Sequence, residues 1–253
     1  MFKNVIVKKP APSFVTGLTT SDLGKPDFEK ALIQHRNYVE ALKACGVAVT
    51  ELEADDRYPD SVFVEDAAVL TPEFAVITNP GADTRNREIE AIEEALKPFY
   101  EKFHYITQPG TLDGGDVLQA GNQFYIGISE RTNGEGARQL KEILESEGYE
   151  AEILPLERFF HLKTGIAYLG DNKLAVAGEF IEHPAFGQYE KIVIGPEDEY
   201  SANCIHVNDF VIIPSGYPET KRQLEQAGRK TIEVDMTEFR KQDGGLSCLS
   251  LRF

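Results

Sequence analysis

Several things are scarce in this 253-residue sequence, and each scarcity removes a class of protein. Cysteine occurs only as Cys45, Cys204 and Cys248, far apart and with no C-x-x-C pair. That argues against a disulfide framework and a cysteine-rich zinc site, and sets a reduced, cytoplasmic protein as the expectation. No apolar run approaches the roughly 20 residues that span a bilayer. The first apolar stretch, in Met-Phe-Lys-Asn-Val-Ile-Val-Lys-Lys-Pro, is too short for a signal peptide and reads as a strand. Basic residues are in deficit: 26 Lys and Arg against 42 Asp and Glu leave a formal net charge of −16. A chain this acidic is poorly suited to nucleic acid or an anionic membrane, so neither is an expected partner. The five histidines form no H-x-x-H or H-E-x-x-H pattern, so neither a metal site nor a cofactor is expected. No Pro/Ser/Gly linker divides the chain, which reads as one domain over residues 1–253.

What is present repeats. Residues 66–78, 116–127, 165–177 and 202–214 each read as strand, tight turn, strand, with Pro-Glu, Gly-Asn, Gly-Asp-Asn or Asn-Asp at the turn. Helical stretches follow. Ile89, Ile92, Leu96 and Phe99 are spaced by threes and fours, as are Ala137, Leu140 and Leu144 before Gly148. A shorter one covers 220–227, and the weakest lies at 184–189. Single strands are expected next, at 103–106, 151–155, 191–194 and 231–234. The N-terminal third supplies a strand at 4–8, a long helix with Phe28, Leu32, Val39 and Leu42 on one face, and a strand at 47–52. Its missing hairpin partner is expected at 246–253. Five such units closed by the two ends would form an α/β ring around a central cavity. An open mixed α/β sheet is the plainer alternative.

Three polar clusters are harder to explain as surface. In Tyr-Pro-Asp-Ser-Val-Phe-Val-Glu-Asp at 58–66, Asp60, Glu65 and Asp66 flank an apolar core. Acidic residues entering a strand are ordinarily solvated, but carboxylates at a pocket mouth match the planar, bidentate geometry of a guanidinium. In Gly-Thr-Leu-Asp-Gly-Gly-Asp at 110–116, two glycines between Asp113 and Asp116 suit a turn, and equally suit close approach of backbone to a ligand. In Asp-Gly-Gly-Leu-Ser-Cys-Leu-Ser at 243–250, Cys248 follows a Gly-Gly bend. A lone cysteine favours a packing role, and Cys45 and Cys204 read the same way. His161 lies between apolar residues, where a structural histidine is the ordinary reading. Arg85 and Arg131 open the second and third helical stretches, against the helix macrodipole; they read equally as plain surface residues, but aimed inward the pair would clamp an anion such as a carboxylate.

Taken together, these motifs resemble the dimethylarginine dimethylaminohydrolases of the guanidino-group-modifying superfamily. The resemblance covers essentially the whole chain. It includes Gly-Leu-Thr-Thr-Ser-Asp-Leu-Gly-Lys-Pro-Asp at 17–27, Asp-Ser-Val-Phe-Val-Glu-Asp at 60–66, Thr-Leu-Asp-Gly-Gly-Asp at 111–116 and Arg-Thr-Asn at 131–133. His-Leu-Lys-Thr at 161–164, Ala-Asn-Cys at 202–204 and the 243–250 segment complete it. The resemblance implies a five-bladed α/β propeller, the pentein fold. It makes Cys248 the nucleophile, His161 the general acid and base, and Asp113 the carboxylate that orients both His161 and the guanidinium. Asp60, Glu65 and Asp66 would lie at the substrate pocket, Arg85 and Arg131 at the substrate α-carboxylate, and Leu18 on a flexible lid near the α-amine.

The implied reaction hydrolyses Nω-methylated arginine to citrulline and a methylamine. It needs a thiolate, because a guanidinium carbon is a poor electrophile, and covalent catalysis divides one hard step into two. The expected partner is a small cationic guanidine, and a homodimer is expected because the family's members are often dimers. Two other functions are weighed. One is another guanidine hydrolase such as arginine deiminase, whose members are longer chains. The other is a non-catalytic propeller, which would not need a Cys-His-carboxylate set. Neighbouring carboxylates should raise the thiol pKa, so the thiolate is expected to form mainly when a cation is bound.

Overall fold

In a computed structural model describing residues 1–253, fifteen strands form five separate three-stranded sheets with one shared pattern. The central strand of each pairs antiparallel with its hairpin partner and parallel with the strand that follows the crossover. The first sheet contains β1 (Asn4–Lys8) and β2 (Ala48–Leu52), joined by α1 (Phe28–Ala44). The second contains β3 (Ala68–Leu70), β4 (Ala75–Ile77) and, after α2 (Ile89–Leu96), β5 (Phe103–Tyr105). The third contains β6 (Val117–Ala120), β7 (Gln123–Ile128) and, after α3 (Gly134–Ser146), β8 (Glu150–Pro155). The fourth contains β9 (Ile166–Tyr168), β10 (Lys173–Val176) and β11 (Glu190–Val193). The fifth contains β12 (Ile205–Val207), β13 (Phe210–Pro214) and, after α4 (Pro218–Gln226), β14 (Lys230–Val234). A short α5 (Thr237–Arg240) leads to β15 (Leu251–Arg252), which completes the first sheet beside β1. The fold is a five-bladed α/β propeller, and the open-sheet alternative is excluded.

Local chemistry sets these boundaries. Asp27 caps α1 by accepting from the Lys30 amide at 3.0 Å, and Asn133 caps α3 by accepting from Gly136 at 2.8 Å. Gly148 follows α3 with φ +88°, in the left-handed conformation that ends helices at low steric cost. Three expectations need correcting. The buried face of α1 runs through Ala31, Gln34, His35, Tyr38, Val39 and Leu42, while Phe28 and Leu32 sit at its edge; polar residues share that face because they bond to neighbouring elements. No α-helix forms at 184–189: Pro184 and Gly187 bracket a single 3₁₀ turn, Pro184–Phe186, and the Phe180 and Phe186 rings fill the space. The closing strand is only two residues long, because Ser247–Leu249 winds into a 3₁₀ turn instead.

That last turn has counterparts. A 3₁₀ turn precedes the first strand of every hairpin: Val64–Ala67, Gly114–Asp116, Leu162–Thr164, Pro196–Ala202 and Ser247–Leu249. Consecutive turns touch in ring order, and the Asn203 side chain bridges the last pair by accepting from the Ser247 amide at 2.9 Å. Residues of these turns, and those capping them, line two cavities, one on either side of the ring.

Candidate active site

The smaller cavity, 160 Å³, receives residues from four of the five turns or their caps. Asp66 arrives on the first, Asp113 caps the second, His161 caps the third, and Cys248 lies within the last. The fold thus places chemically different side chains at equivalent points of a repeated unit. Leu18, Asp60, Arg85, Arg131 and Phe160 complete much of the wall.

Cys248 Sγ accepts from the Gly245 amide at 3.4 Å. The Gly-Gly bend is required here: a Cβ on Gly245 would collide with the Asn203 amide, and one on Gly244 with the Phe63 ring. Burial, with Glu65 and Asp66 nearby, pushes the Cys248 thiol up to about 12; the Gly245 amide and Lys163 oppose this. The free thiol is therefore protonated at neutral pH.

His161 is buried, with Nε2 3.6 Å from Asp113 Oδ2, a charge contact longer than a hydrogen bond. Nε2 has no hydrogen-bond partner. Burial opposes the imidazolium, but Asp116, Asp113 and Asp66 overcome it and raise the pKa to about 9. The Asp116 charge acts on it more strongly than the charge of Asp66 or Asp113, and Asp116 also fixes the local backbone by accepting from Leu162 N at 3.0 Å. Sequence reasoning did not single it out as a site residue, although its place in the Asp-Gly-Gly-Asp motif was the available signal.

Asp66 has one protein partner on each oxygen, which leaves acceptor capacity on both. Its Oδ2 pairs with Arg85 Nη1 at 2.6 Å and its Oδ1 accepts from Gly115 N at 3.0 Å. Burial works against its charge, yet Arg85, His161 and the Gly115 amide together outweigh that and lower its pKa. Arg85 also reaches Glu88 at 3.0 Å and the carbonyls of Asp60 and Phe63, leaving one of its five N–H donors, on Nη1, without a protein acceptor. Burial lifts the Glu88 pKa to about 7 despite that pairing. Arg131 differs: no protein carboxylate pairs with it, and its guanidinium lies 5.3 Å from the Phe160 ring centroid. Asp60 Oδ1 accepts from Leu18 N at 2.9 Å, tying the 17–27 segment to the pocket. Asp243, unrecognised from sequence, holds the same segment by accepting from the Thr20 amide and the Thr19 and Thr20 hydroxyls. Only the fold brings these residues, more than 220 apart in sequence, together.

One expected residue faces elsewhere. Glu65 does not line this pocket; its carboxylate points into the opposite cavity, where Oε1 meets Lys163 Nζ at 2.6 Å and Arg252 Nη2 at 3.1 Å. Adjacent residues of a 3₁₀ turn point about 120° apart, so Glu65 and Asp66 serve different sides. Ligand atoms of Asp66, Asp113 and His161 lie within 4.8 Å of one another. That cluster would attract a cation, and carboxylates arranged around a thiol suit a planar guanidinium.

The family model described as "N,N dimethylarginine dimethylhydrolase, eukaryotic" matches residues 24–194. A dimethylarginine dimethylaminohydrolase of Pseudomonas aeruginosa is 52% identical over 254 residues, covering all of both chains. The chain belongs to the dimethylarginine dimethylaminohydrolase family. A solved structure of the P. aeruginosa enzyme, a cysteine-to-serine mutant complexed with citrulline, superposes with a TM-score of 0.99 at 51% identity, covering both chains fully. Another, a histidine-to-glycine dimethylarginine dimethylaminohydrolase in an adduct with S-methyl-L-thiocitrulline, gives the same TM-score, identity and coverage. No helix of this family member is long and apolar enough to cross a membrane.

Proposed function

We propose that this protein hydrolyses Nω-methylated arginines to citrulline and a methylamine, with Cys248 as nucleophile and His161 as acid and base. The observation that carries the reading is convergence. A thiol, an imidazole and three buried carboxylates meet in one small pocket that also holds an arginine without a carboxylate partner. Arg131 and the remaining Arg85 N–H receive the substrate α-carboxylate. Asp66 and Asp113 face the guanidinium, and Asp60 and Leu18 form the wall toward the α-amine.

The cycle starts from a protonated His161, in keeping with its raised pKa. Binding of the cationic substrate offsets the surrounding carboxylates, and the Cys248 proton leaves to solvent. The thiolate attacks the guanidinium carbon and forms a C–S bond. His161 gives its proton to the departing methylamine as the C–N bond breaks, which leaves a thiouronium on Cys248. Neutral His161 then takes a proton from water as that water attacks the same carbon. The C–S bond then breaks as the hydroxyl proton of the adduct passes to the departing Cys248 sulfur, which releases citrulline and restores the thiol and the protonated His161. Asp113 and Asp66 hold the N–H groups in line for attack.

The entire chain acts as one catalytic unit in this reading, since the first sheet draws strands from both ends. A homodimer and a cytoplasmic location complete it; light scattering and cell fractionation test those two. Incubation with asymmetric dimethylarginine, and separately with arginine, tests the activity, with Cys248→Ser beside the native protein. Citrulline from the methylated substrate alone, abolished in the variant, is the expected result. Turnover of arginine instead would make the protein a deiminase, and no citrulline from either would end the proposal.

A further inference from the structure

The larger cavity, 280 Å³, lies behind the catalytic residues and has a different chemistry. Its walls are apolar, from Val117, Leu118, Ile166 and Ile205 among others. Its floor carries Lys163 and Arg252, both within 3.1 Å of a single carboxylate oxygen, Glu65 Oε1. The remaining Arg252 contacts on Nη1 go to the neutral Ser247 and Ser250. Two cations and one carboxylate leave the floor with a surplus positive charge, inside a chain of net charge −16. Lys163 Nζ bonds only Glu65, so further N–H donors remain for a ligand.

This floor is one residue thick. Glu65, Gly114, Lys163 and Ser247 face the larger cavity, while Asp66, Asp113, His161 and Cys248, one or two positions away, face the smaller one. We infer that the larger cavity is a second binding site, for a small aliphatic monocarboxylate whose charged head pairs with Lys163 and Arg252 and whose tail lies along the apolar walls. Occupancy reports to the reaction through charge. Lys163 favours the Cys248 thiolate, whereas Glu65 disfavours it. An anion that neutralises Lys163 shifts that balance against the thiolate and slows the enzyme without entering the substrate pocket. The binding stands by itself; the slowing rests on Cys248 being the nucleophile.

The chain has no tryptophan, so Gln119→Trp at the cavity wall gives a single fluorescent reporter. Sodium hexanoate is titrated against it, with hexylammonium and sodium chloride at equal ionic strength as controls. The expected result is a saturable change with hexanoate alone, retained when Cys248→Ser is combined with the reporter and saturated with citrulline. In the unlabelled enzyme, hexanoate should lower kcat and leave KM unchanged. It should also slow Cys248 alkylation by iodoacetamide about three- to tenfold, corresponding to half to one pKa unit. Lys163→Met, checked for folding by its thermal transition, should lose the hexanoate response. Loss of binding when citrulline is present would place hexanoate in the substrate pocket and overturn the inference. So would equal binding of hexylammonium, or no saturable response. These arms need no Lys163 variant. Failure of the hydrolase reading would appear separately, as no citrulline from dimethylarginine.

Discussion

The protonation state of Cys248 gives the most demanding test of the site's electrostatics. Unliganded, the thiol titrates at about 12, held up by burial and by Glu65 and Asp66. A guanidinium about 4 Å away, at an effective dielectric of about 20, favours the thiolate by about 4 kcal/mol. That corresponds to about three pKa units and would bring the thiol near 9. The perturbation is therefore the ligand's charge, and the comparison is between a non-hydrolysable cationic arginine analogue and neutral citrulline. Ultraviolet thiolate absorbance is followed against pH for the native protein, with the Cys248→Ser titration subtracted. Subtraction removes Cys45 and Cys204, whose thiols burial raises to about 11 and about 12. The cationic ligand should lower the apparent pKa by about three units, while citrulline should leave it high. Calorimetry at about pH 10, between the two values, in buffers of different ionisation enthalpy should show proton release with the cation only. Equal apparent pKa values with both ligands would refute the idea that the substrate's charge generates its own nucleophile.

Other perturbations address single contacts. Asp113→Asn removes a charge that helps hold His161 at about 9, so the alkaline limb of the pH–rate profile should move to lower pH; kcat/KM should fall by about 10²–10³. An unmoved limb would assign that control to Asp116 and Asp66 alone. Gly245→Ala drives a Cβ into the Asn203 amide and should cost about 1–3 kcal/mol, read from the urea midpoint. Asp243 has φ +55°, so Asp243→Gly keeps the backbone while deleting the carboxylate that holds Thr19 and Thr20. KM should rise about fivefold, the equivalent of about 1 kcal/mol, with kcat little changed. Between about pH 6.5 and 9, stability should fall as pH rises, because the His161 pKa is raised by folding; His161→Gln should flatten that slope in denaturant melts.

The architecture was legible because its signals are local. Turn dipeptides and three-four apolar spacing need only neighbouring residues, so four hairpins and the strands after them fall within a few residues of expectation. Pocket membership was not local in that sense. Glu65 and Asp66 look equivalent on paper, and only the 3₁₀ geometry of the turn between β2 and β3 sends one to each side of the ring. The weight of Asp116 on His161 arises between two blades, and the hold of Asp243 on Thr20 spans most of the chain. The helix face through Gln34, His35 and Tyr38 was missed for a related reason: these polar side chains are buried against partners that periodicity cannot see.

The short pairing of β15 with β1 has a topological consequence. Phe253 N donates to the Asn4 carbonyl at 2.9 Å, and Lys3 N donates to the Phe253 carbonyl at 2.8 Å. Residues at opposite ends of this sequence are thus backbone neighbours, and the break in the chain is one seam among five similar junctions. A circular permutant that joins this seam through a short Gly-Ser linker and opens at the exposed Ser215-Gly216 turn would keep all fifteen strands, with the fifth sheet now drawing β14 from one end of the chain and β12 and β13 from the other. Because loop-closure entropy changes only slowly with length, such a permutant should lose little stability. Its catalytic set would then run in a new order, with Cys248 ahead of His161, and hydrolysis by that permutant would show that the chemistry depends on position around the ring and not on position along the chain.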